Sequence, residues 1–370
     1  MTRPNPLCRL REYGQSVWLD FIERGFVNRG DLAKAIREDC VAGVTSNPAI
    51  FHKAIADAHD YDDDIRALAR SGRSTSEIYD ELVVADIQAA ADALRGVYDE
   101  NDGGDGFVSL EVSPHLARDA TRTIEDGLRL HRLVGRPNVM IKVPGTVEGL
   151  QAIRRLTAEG VNVNITLLFS VERYVDVVDA YMGGLEDRLA EKQPIDRIAS
   201  VASFFLSRID TVVDKQLDAR GTAAAKKMRG EAAIASARLA YRRYEAIIAS
   251  ERWTALEAKG ARRQRLLWAS TGTKDPAYSD TKYVEPLIGP DTVTTLPPET
   301  LAAYRDHGEP ASRLQDDSER TDEAMAALQA EGVDLRAVAA HLEEEGIEKF
   351  IQPFDATLNA LSERARKLAS

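Results

Sequence analysis

Short apolar runs bounded by turn residues alternate with longer stretches of helical period along nearly the whole chain, and this alternation limits the fold more than any other feature. Eight runs have strand character: Val17–Phe21, Gly43–Asn47, Phe107–Val112, Val139–Val143, Val161–Leu167, Ile198–Phe205, Arg265–Ser270 and Thr292–Leu296. Helical patterns lie between them at Asp31–Asp39, Thr75–Arg95, Pro114–Leu133, Thr146–Glu159, Ser170–Ala190, Ser207–Leu217, Ala223–Lys259 and Asp280–Ile288, and three more follow the last run. Apolar strands separated by crossover helices imply a parallel sheet covered by helices. Eight such units in 370 residues predict an α/β fold, a (β/α)₈ TIM barrel with additional helices, for which about 250 residues is typical. A doubly wound sheet split into two domains is the alternative, but no Pro/Gly/Ser-rich linker divides the chain. A single domain over residues 1–370 is expected, with strands from about 17 to 296 and C-terminal helices in 297–370.

Composition removes several function classes. With 44% hydrophobic and 29% charged residues the chain can bury a core. Lys and Arg number 48 against 60 Asp and Glu, a net charge of −12. That balance argues against nucleic acid or an anionic membrane surface as partner, since both are held by clustered cations. The N-terminal stretch lacks the apolar core of a secretory signal, and no window approaches the roughly 20 apolar residues of a membrane span. The two cysteines, Cys8 and Cys40, make no disulfide framework. They read as reduced thiols of a cytoplasmic protein. Gly103-Gly104-Asp105-Gly106 precedes a strand and no helix follows it, so it is not a dinucleotide fingerprint; GxxxxGK[ST] and HExxH are absent. The six histidines show no ligand spacing and are expected on helices or the surface. Neither a metal nor a cofactor is expected.

Side chains alternate faces along a strand, which sorts each run into two columns. Val108, Leu110 and Val112 oppose Phe107, Ser109 and Glu111; Val139, Ile141 and Val143 oppose Met140 and Lys142; Val163, Ile165 and Leu167 oppose Asn164 and Thr166. One column is aliphatic and suits contact with helices. The other ends in polar groups, near the C-terminal strand ends where barrel sites assemble. Asp20, Asn47, Glu111, Lys142, Asn164, Thr166, Ser203 and Ser270 would then converge on one mouth. A lone interior Asn or Ser is usually just a hydrogen-bonded core group. A lysine inside an apolar strand needs more, because burying an ammonium is costly unless it is paired or neutral. Lys142 is therefore either the cationic half of an ion pair with Asp20 or Glu111, or an amine that attacks a carbonyl to form a Schiff base. Neighbouring carboxylates would move the protons that such a reaction needs.

Three segments, in order, also resemble a known family. Gly43-Val44-Thr45-Ser46-Asn47-Pro48-Ala49-Ile50-Phe51, Val139-Met140-Ile141-Lys142-Val143-Pro144-Gly145-Thr146 and Val163-Asn164-Ile165-Thr166-Leu167-Leu168-Phe169-Ser170 are similar to the signatures of transaldolases. The likeness runs from about Trp18 to the C-terminal helices. It implies that Lys142 is the Schiff-base nucleophile, that Glu111 is an acid/base working through a water that Thr166 helps to hold, and that Asp20 takes the hydroxyl proton as the C–C bond breaks. Asn47, Asn164 and Ser203 would hold the dihydroxyacetone moiety, and Arg208 and Ser270 the phosphate. Two positions depart from the pattern. Phe204 stands where many members have Pro, and Lys274 is expected to supply the charge of a second phosphate-binding arginine. Phe205 and Glu111 match transaldolases where the related fructose 6-phosphate aldolases differ.

The activity implied is transfer of a dihydroxyacetone unit from sedoheptulose 7-phosphate to glyceraldehyde 3-phosphate, giving erythrose 4-phosphate and fructose 6-phosphate, a step of the pentose phosphate pathway. Partners would be phosphorylated sugars, and the chain would act as a monomer or homodimer. An aldolase that releases free dihydroxyacetone and a non-catalytic sugar-phosphate-binding barrel are the alternatives. Arg262-Arg263-Gln264-Arg265 and Glu343-Glu344-Glu345 read as solvated charge runs.

Overall fold

The computed structural model describes residues 5–57, 59–316 and 318–369. Its strands are β1 (Gln15–Leu19), β2 (Val41–Val44), β3 (Phe107–Glu111), β4 (Val139–Pro144), β5 (Val163–Leu168), β6 (Ser200–Phe205), β7 (Gln264–Ala269) and β8 (Thr292–Leu296). They close into a barrel in sequence order, each parallel to its neighbours, with Gln15–Leu19 pairing Thr292–Leu296 to complete the ring. The apolar runs thus mark all eight strands, displaced by no more than a few residues. Val108, Leu110, Ile141, Val143, Val163 and Ile165 are buried, as an aliphatic column beneath helices should be.

Helix starts follow local capping chemistry. Ser74 makes a capping box with Glu77, and the side chains of Asp119, Thr146 and Ser170 accept from the backbone N–H groups of Arg122, Gly149 and Arg173. Two helical expectations fail for identifiable reasons. Ala223–Lys259 is three helices, Ala223–Lys227, Ala232–Ile248 and Glu251–Glu257. Gly230 breaks it with φ at +72°, and Ser250 restarts it as an N-cap. Asp280–Ile288 holds only the 3₁₀ turn Glu285–Leu287, because Pro286 cannot donate the backbone bond a helix interior requires.

The charge runs also differ from the expectation of free solvation. Arg265 turns into the N-terminal end of the barrel, where it donates to Ser16 Oγ at 2.8 Å and lies 3.6 Å from Asp105; Gln264 is buried against Ser200. The period of two along β7 carries Arg265 to the interior face. Glu343 meets Arg118 at 2.9 Å, so part of the acidic run faces the barrel.

The reading of two reduced thiols is overturned: Cys8 and Cys40 form a disulfide. The N-terminal helix Pro6–Arg9 is held beside the end of helix Asp31–Glu38, with Asn5 donating to Glu38 O and Asp39 Oδ1 and Arg11 donating to Cys40 O at 3.1 Å. That docking brings the two Cα atoms to 5.1 Å. A count of cysteines carries no such proximity.

The longest helix, Leu335–Ala369, runs across the barrel's C-terminal end and touches the helices Pro48–Asp57, Asp62–Arg70 and Ser207–Arg220 as well as β5. Arg364 ties its far end to Asp62 at 2.6 Å and to the carbonyl of Ile55 at 2.8 Å. His115 and Asp355 meet at 2.7 Å further back. No helix of the described residues is long and apolar enough to cross a membrane.

The disulfide closes a loop of sequence separation 32, for which loop-closure entropy allows at most about 3–4 kcal/mol of stabilisation. Reductant should lower the urea midpoint of the parent protein and leave Cys8→Ser unmoved. A parent midpoint indifferent to reductant would count against the bond.

Candidate active site

Backbone register sets the centre of the site. Glu111 on β3 is the lateral partner of Lys142 on β4, and Lys142 is the lateral partner of Asn164 on β5, so three of the sequence-derived residues stand side by side on one level of the wall. Thr166 pairs with Pro144 one step nearer the mouth. Hydrogen bonds that skip a strand confirm which way these side chains point. Asn164 donates to Ser109 Oγ at 2.9 Å across β4 and accepts from Ser203 Oγ at 2.7 Å. Asp20, just past β1, accepts from Thr45 Oγ1 at 2.7 Å, and Thr45 in turn reaches Thr295 Oγ1 at 2.7 Å.

Lys142 is 4% exposed. Its Nζ donates to the carbonyl of Ser46 at 2.9 Å and lies 3.6 Å from Glu111 Oε2. Of the two readings of this lysine, the ion pair is thus formed, and it is with Glu111. A cavity of about 190 Å³ opens in front of it, lined among others by Asp20, Asn47, Ser203, Phe205, Arg208, Ser270 and Lys274. A larger hollow of about 960 Å³ shares Asp20, Asn47 and Lys274 with it and widens outward. Asn47 caps helix Pro48–Asp57, its Oδ1 accepting from the N–H groups of Ala49 and Ile50. Ser270 holds φ at +55° and exchanges a 2.8 Å hydrogen bond with Ser207. Glu111, Asn164 and Thr166 stand behind this cavity's lining, in the wall next to Lys142. Glu111 also borders a second hollow of about 670 Å³ between helices Thr75–Ala93 and Ala120–Val134.

Desolvation dominates the electrostatics. Burial pushes Glu111 up from 4.5 to about 7, against the opposing pull of Lys142. Burial likewise raises Asp20, with Lys142 and the Thr45 hydrogen bond holding it down in part. The Arg208 guanidinium is lowered by burial although Glu345, Asp20 and Glu111 favour its charge. Within the site, three buried side-chain atoms have no protein hydrogen-bond partner: Glu111 Oε2, Thr166 Oγ1 and Arg208 Nη1. Such orphans in a cavity wall are what a site looks like when its remaining partner is a ligand or water. Among the described residues, no three His, Cys, Asp or Glu side chains gather as a metal-ligand set.

Several participants were not singled out from the sequence. The Ser46 acceptor is a backbone carbonyl, which no residue type announces. Thr45 shares the polar column with Asn47 and could have been found by that signal; Thr295 sits likewise at the end of β8. Ser207 stands next to Arg208 and bonds Ser270. Phe350, from helix Leu335–Ala369, also lines the cavity, its ring centre 5.9 Å from Lys142 Nζ and 5.8 Å from Arg208 Cζ.

Residues 17–361 match the family model described as Transaldolase/Fructose-6-phosphate aldolase. The chain is 48% identical over 376 residues to a protein named Transaldolase 2 from Nostoc sp., covering 99% of each chain. It is 48% identical to a transaldolase of Saccharopolyspora erythraea, covering 98% of this chain and 99% of the relative, and 44% identical to Transaldolase 2 of Streptomyces coelicolor, covering 98% of each.

The raised Glu111 has a signed consequence for stability. Between 4.5, the ordinary value, and about 7 the folded state holds a proton that the unfolded state has lost, so this group costs stability increasingly as pH climbs through that window. Gln has the shape of the protonated acid and no charge. The advantage of Glu111→Gln over the parent should grow by about 2 kcal/mol between pH 5 and pH 8. Urea midpoints at the two values test this, and a constant difference would contradict it.

Proposed function

The chain belongs to the transaldolase/fructose-6-phosphate aldolase family, and on that premise we propose a transaldolase that moves a dihydroxyacetone unit between sugar phosphates through a Schiff base on Lys142. The observation that carries this reading is a single buried lysine facing a cavity with one carboxylate 3.6 Å away and a second across the chamber. The donor is sedoheptulose 7-phosphate, the acceptor glyceraldehyde 3-phosphate. Erythrose 4-phosphate leaves first and fructose 6-phosphate last.

Attack on the ketone needs Lys142 as a neutral amine, and a carboxylate poised near neutrality beside it can take the proton and return it to the departing hydroxyl. The reading that Glu111 does this through a water shared with Thr166 is supported by the two orphaned oxygens, Glu111 Oε2 and Thr166 Oγ1. Asp20 accepts the proton of the ketose hydroxyl as the adjoining C–C bond breaks, and the electrons of that bond pass into the iminium to give an enamine. Adding the acceptor aldehyde reverses these steps. Asn164 and Ser203 would hold the substrate's hydroxyls, a reading supported by the bonds of Asn164 to Ser109 and Ser203; Ser203, Asn47 and Phe205 line the cavity, with Asn164 directly behind. Arg208, Ser270 and Lys274 sit where a distal phosphate would reach them, and charge-assisted hydrogen bonds would hold it.

On the same reading the whole chain acts as one domain, since a helix beyond the last strand lines the chamber, and its location is the cytoplasm. Monomer and homodimer both suit a site built within one chain.

Borohydride added with fructose 6-phosphate should reduce the iminium and leave an adduct on Lys142, detected by peptide mass. An unmodified Lys142 peptide would sink the mechanism. Asp20→Asn should still be trapped while turnover falls by about 10²–10⁴-fold, the usual worth of a positioned proton acceptor; unchanged turnover would remove Asp20 from that role.

A further inference from the structure

We propose that Phe350, on the helix that crosses the barrel mouth, is a positioning residue that closes the chamber over Lys142 and so decides whether the enamine meets an acceptor sugar or water. The proposal rests on the Schiff-base reading above. Phe350 is 4% exposed although its helix runs over the open end of the barrel. Its ring stands within cation–π range of two of the chamber's cations, 5.9 Å from Lys142 Nζ and 5.8 Å from Arg208 Cζ. Phe205 faces Arg208 at 5.2 Å, so the guanidinium is framed by two rings, and its Nη1 has no hydrogen-bond partner. A half-buried guanidinium with an unbonded Nη1 depends on the packing around it, and here Phe350 supplies part of that packing.

The helix is seated for this contact one turn earlier. A Cβ at Gly346 would come within 2.8 Å of Leu167 Cδ2 and 3.7 Å of Arg208 Nη1, so any larger residue here would press on the Leu167 side chain of β5. Gly346 and Phe350 are four residues apart and therefore share a helix face. Glu345 adds charge near Arg208 and is itself paired with Lys349 at 3.0 Å. Downstream the strap is pinned by Phe354 against Tyr79 at 5.2 Å and by Thr357 against His52 at 3.1 Å.

Two fates of the enamine differ only in what reaches its carbon. In transfer, that carbon bonds the acceptor's aldehyde carbon, the aldehyde oxygen takes a proton, and hydrolysis of the new iminium frees the ketose phosphate and Lys142. In release, the carbon takes a proton from water, a second water adds to the iminium carbon, and the C–N bond breaks to give dihydroxyacetone and the free amine. An apolar ring over the nitrogen disfavours the second course by excluding water, and leaves the first to the acceptor held by Arg208.

The test measures both fates with one donor, fructose 6-phosphate: free dihydroxyacetone without acceptor, and sedoheptulose 7-phosphate with erythrose 4-phosphate. Phe350→Ala should raise the ratio of release to transfer at least tenfold, and Phe350→Leu, which restores apolar volume, should hold it within about threefold of the parent. Parallel loss of both rates in Phe350→Ala, leaving the ratio unchanged, would overturn the proposal, as would an unaltered enzyme. Should Phe350→Ala fail to fold, Gly346→Val, whose branched side chain would crowd Leu167 and Arg208 and push the strap outward, must raise the ratio, and a parental ratio there would overturn it equally. Borohydride trapping on Lys142 is run alongside. Its failure in the parent would remove the Schiff base itself, whereas trapping with an unmoved ratio would remove only the role of Phe350.

Discussion

A lysine side chain inside a barrel wall is the constraint to which the rest of this structure answers. Lys142 could be placed there only if something compensated the loss of water, and the fold supplies two groups: the Ser46 carbonyl at 2.9 Å and Glu111 at 3.6 Å. Both come from the two strands that precede β4 in the sheet. Ser46 follows β2, while Glu111 ends β3 as the direct lateral partner of Lys142. The compensation is incomplete, since desolvation still outweighs the lysine's attraction and leaves Glu111 near 7. A fold selected only for stability would have used an apolar pair here. Retaining two ionisable groups at a level where they interact strongly suits the proton transfer proposed for them.

Most of the fold was legible because a barrel repeats one simple pattern eight times. Strand runs such as Phe107–Val112 and Val139–Val143 carry both their length and their facing in a period of two. What was lost lay where a single residue outvotes a periodic stretch: Gly230 and Ser250 divide one apparent helix, and Pro286 reduces another to a turn. The Cys8–Cys40 bond escaped for a different reason. It depends on how the N-terminal helix docks beside Asp31–Glu38, a tertiary event with no local signal.

The site divides the same way. Glu111, Lys142, Asn164, Thr166 and Ser203 were readable because each lies in the column of a strand that turns polar toward its C-terminal end, and parallel register then brings them together. Thr45 and Thr295 carry that signal more faintly. The Ser46 carbonyl carries none, because backbone groups are alike in every residue. Phe350 lies more than 50 residues beyond the last strand, in a helix whose sequence suggests an ordinary amphipathic surface. Only the path of that helix across the mouth makes it part of the chamber.

Arg208 shows how a chain of net charge −12 can still keep a cation clear of carboxylates, as the anion site proposed above requires. Most arginines here are spent on carboxylates, as Arg252 is on Glu186 and Arg263 on Asp291. Arg208 instead faces two aromatic rings and keeps Nη1 unbonded. Rings stabilise a cation through their quadrupoles without presenting an oxygen for it to bind, so they hold the guanidinium while leaving its donors free. The folded protein bears the cost of that unsatisfied donor, and a bound phosphate would repay it with charge-assisted bonds in a dry site. Acidity outside and unpaired cations inside are then complementary: surface arginines are neutralised where they stand, and the field that remains for an anionic sugar is concentrated at the barrel's mouth.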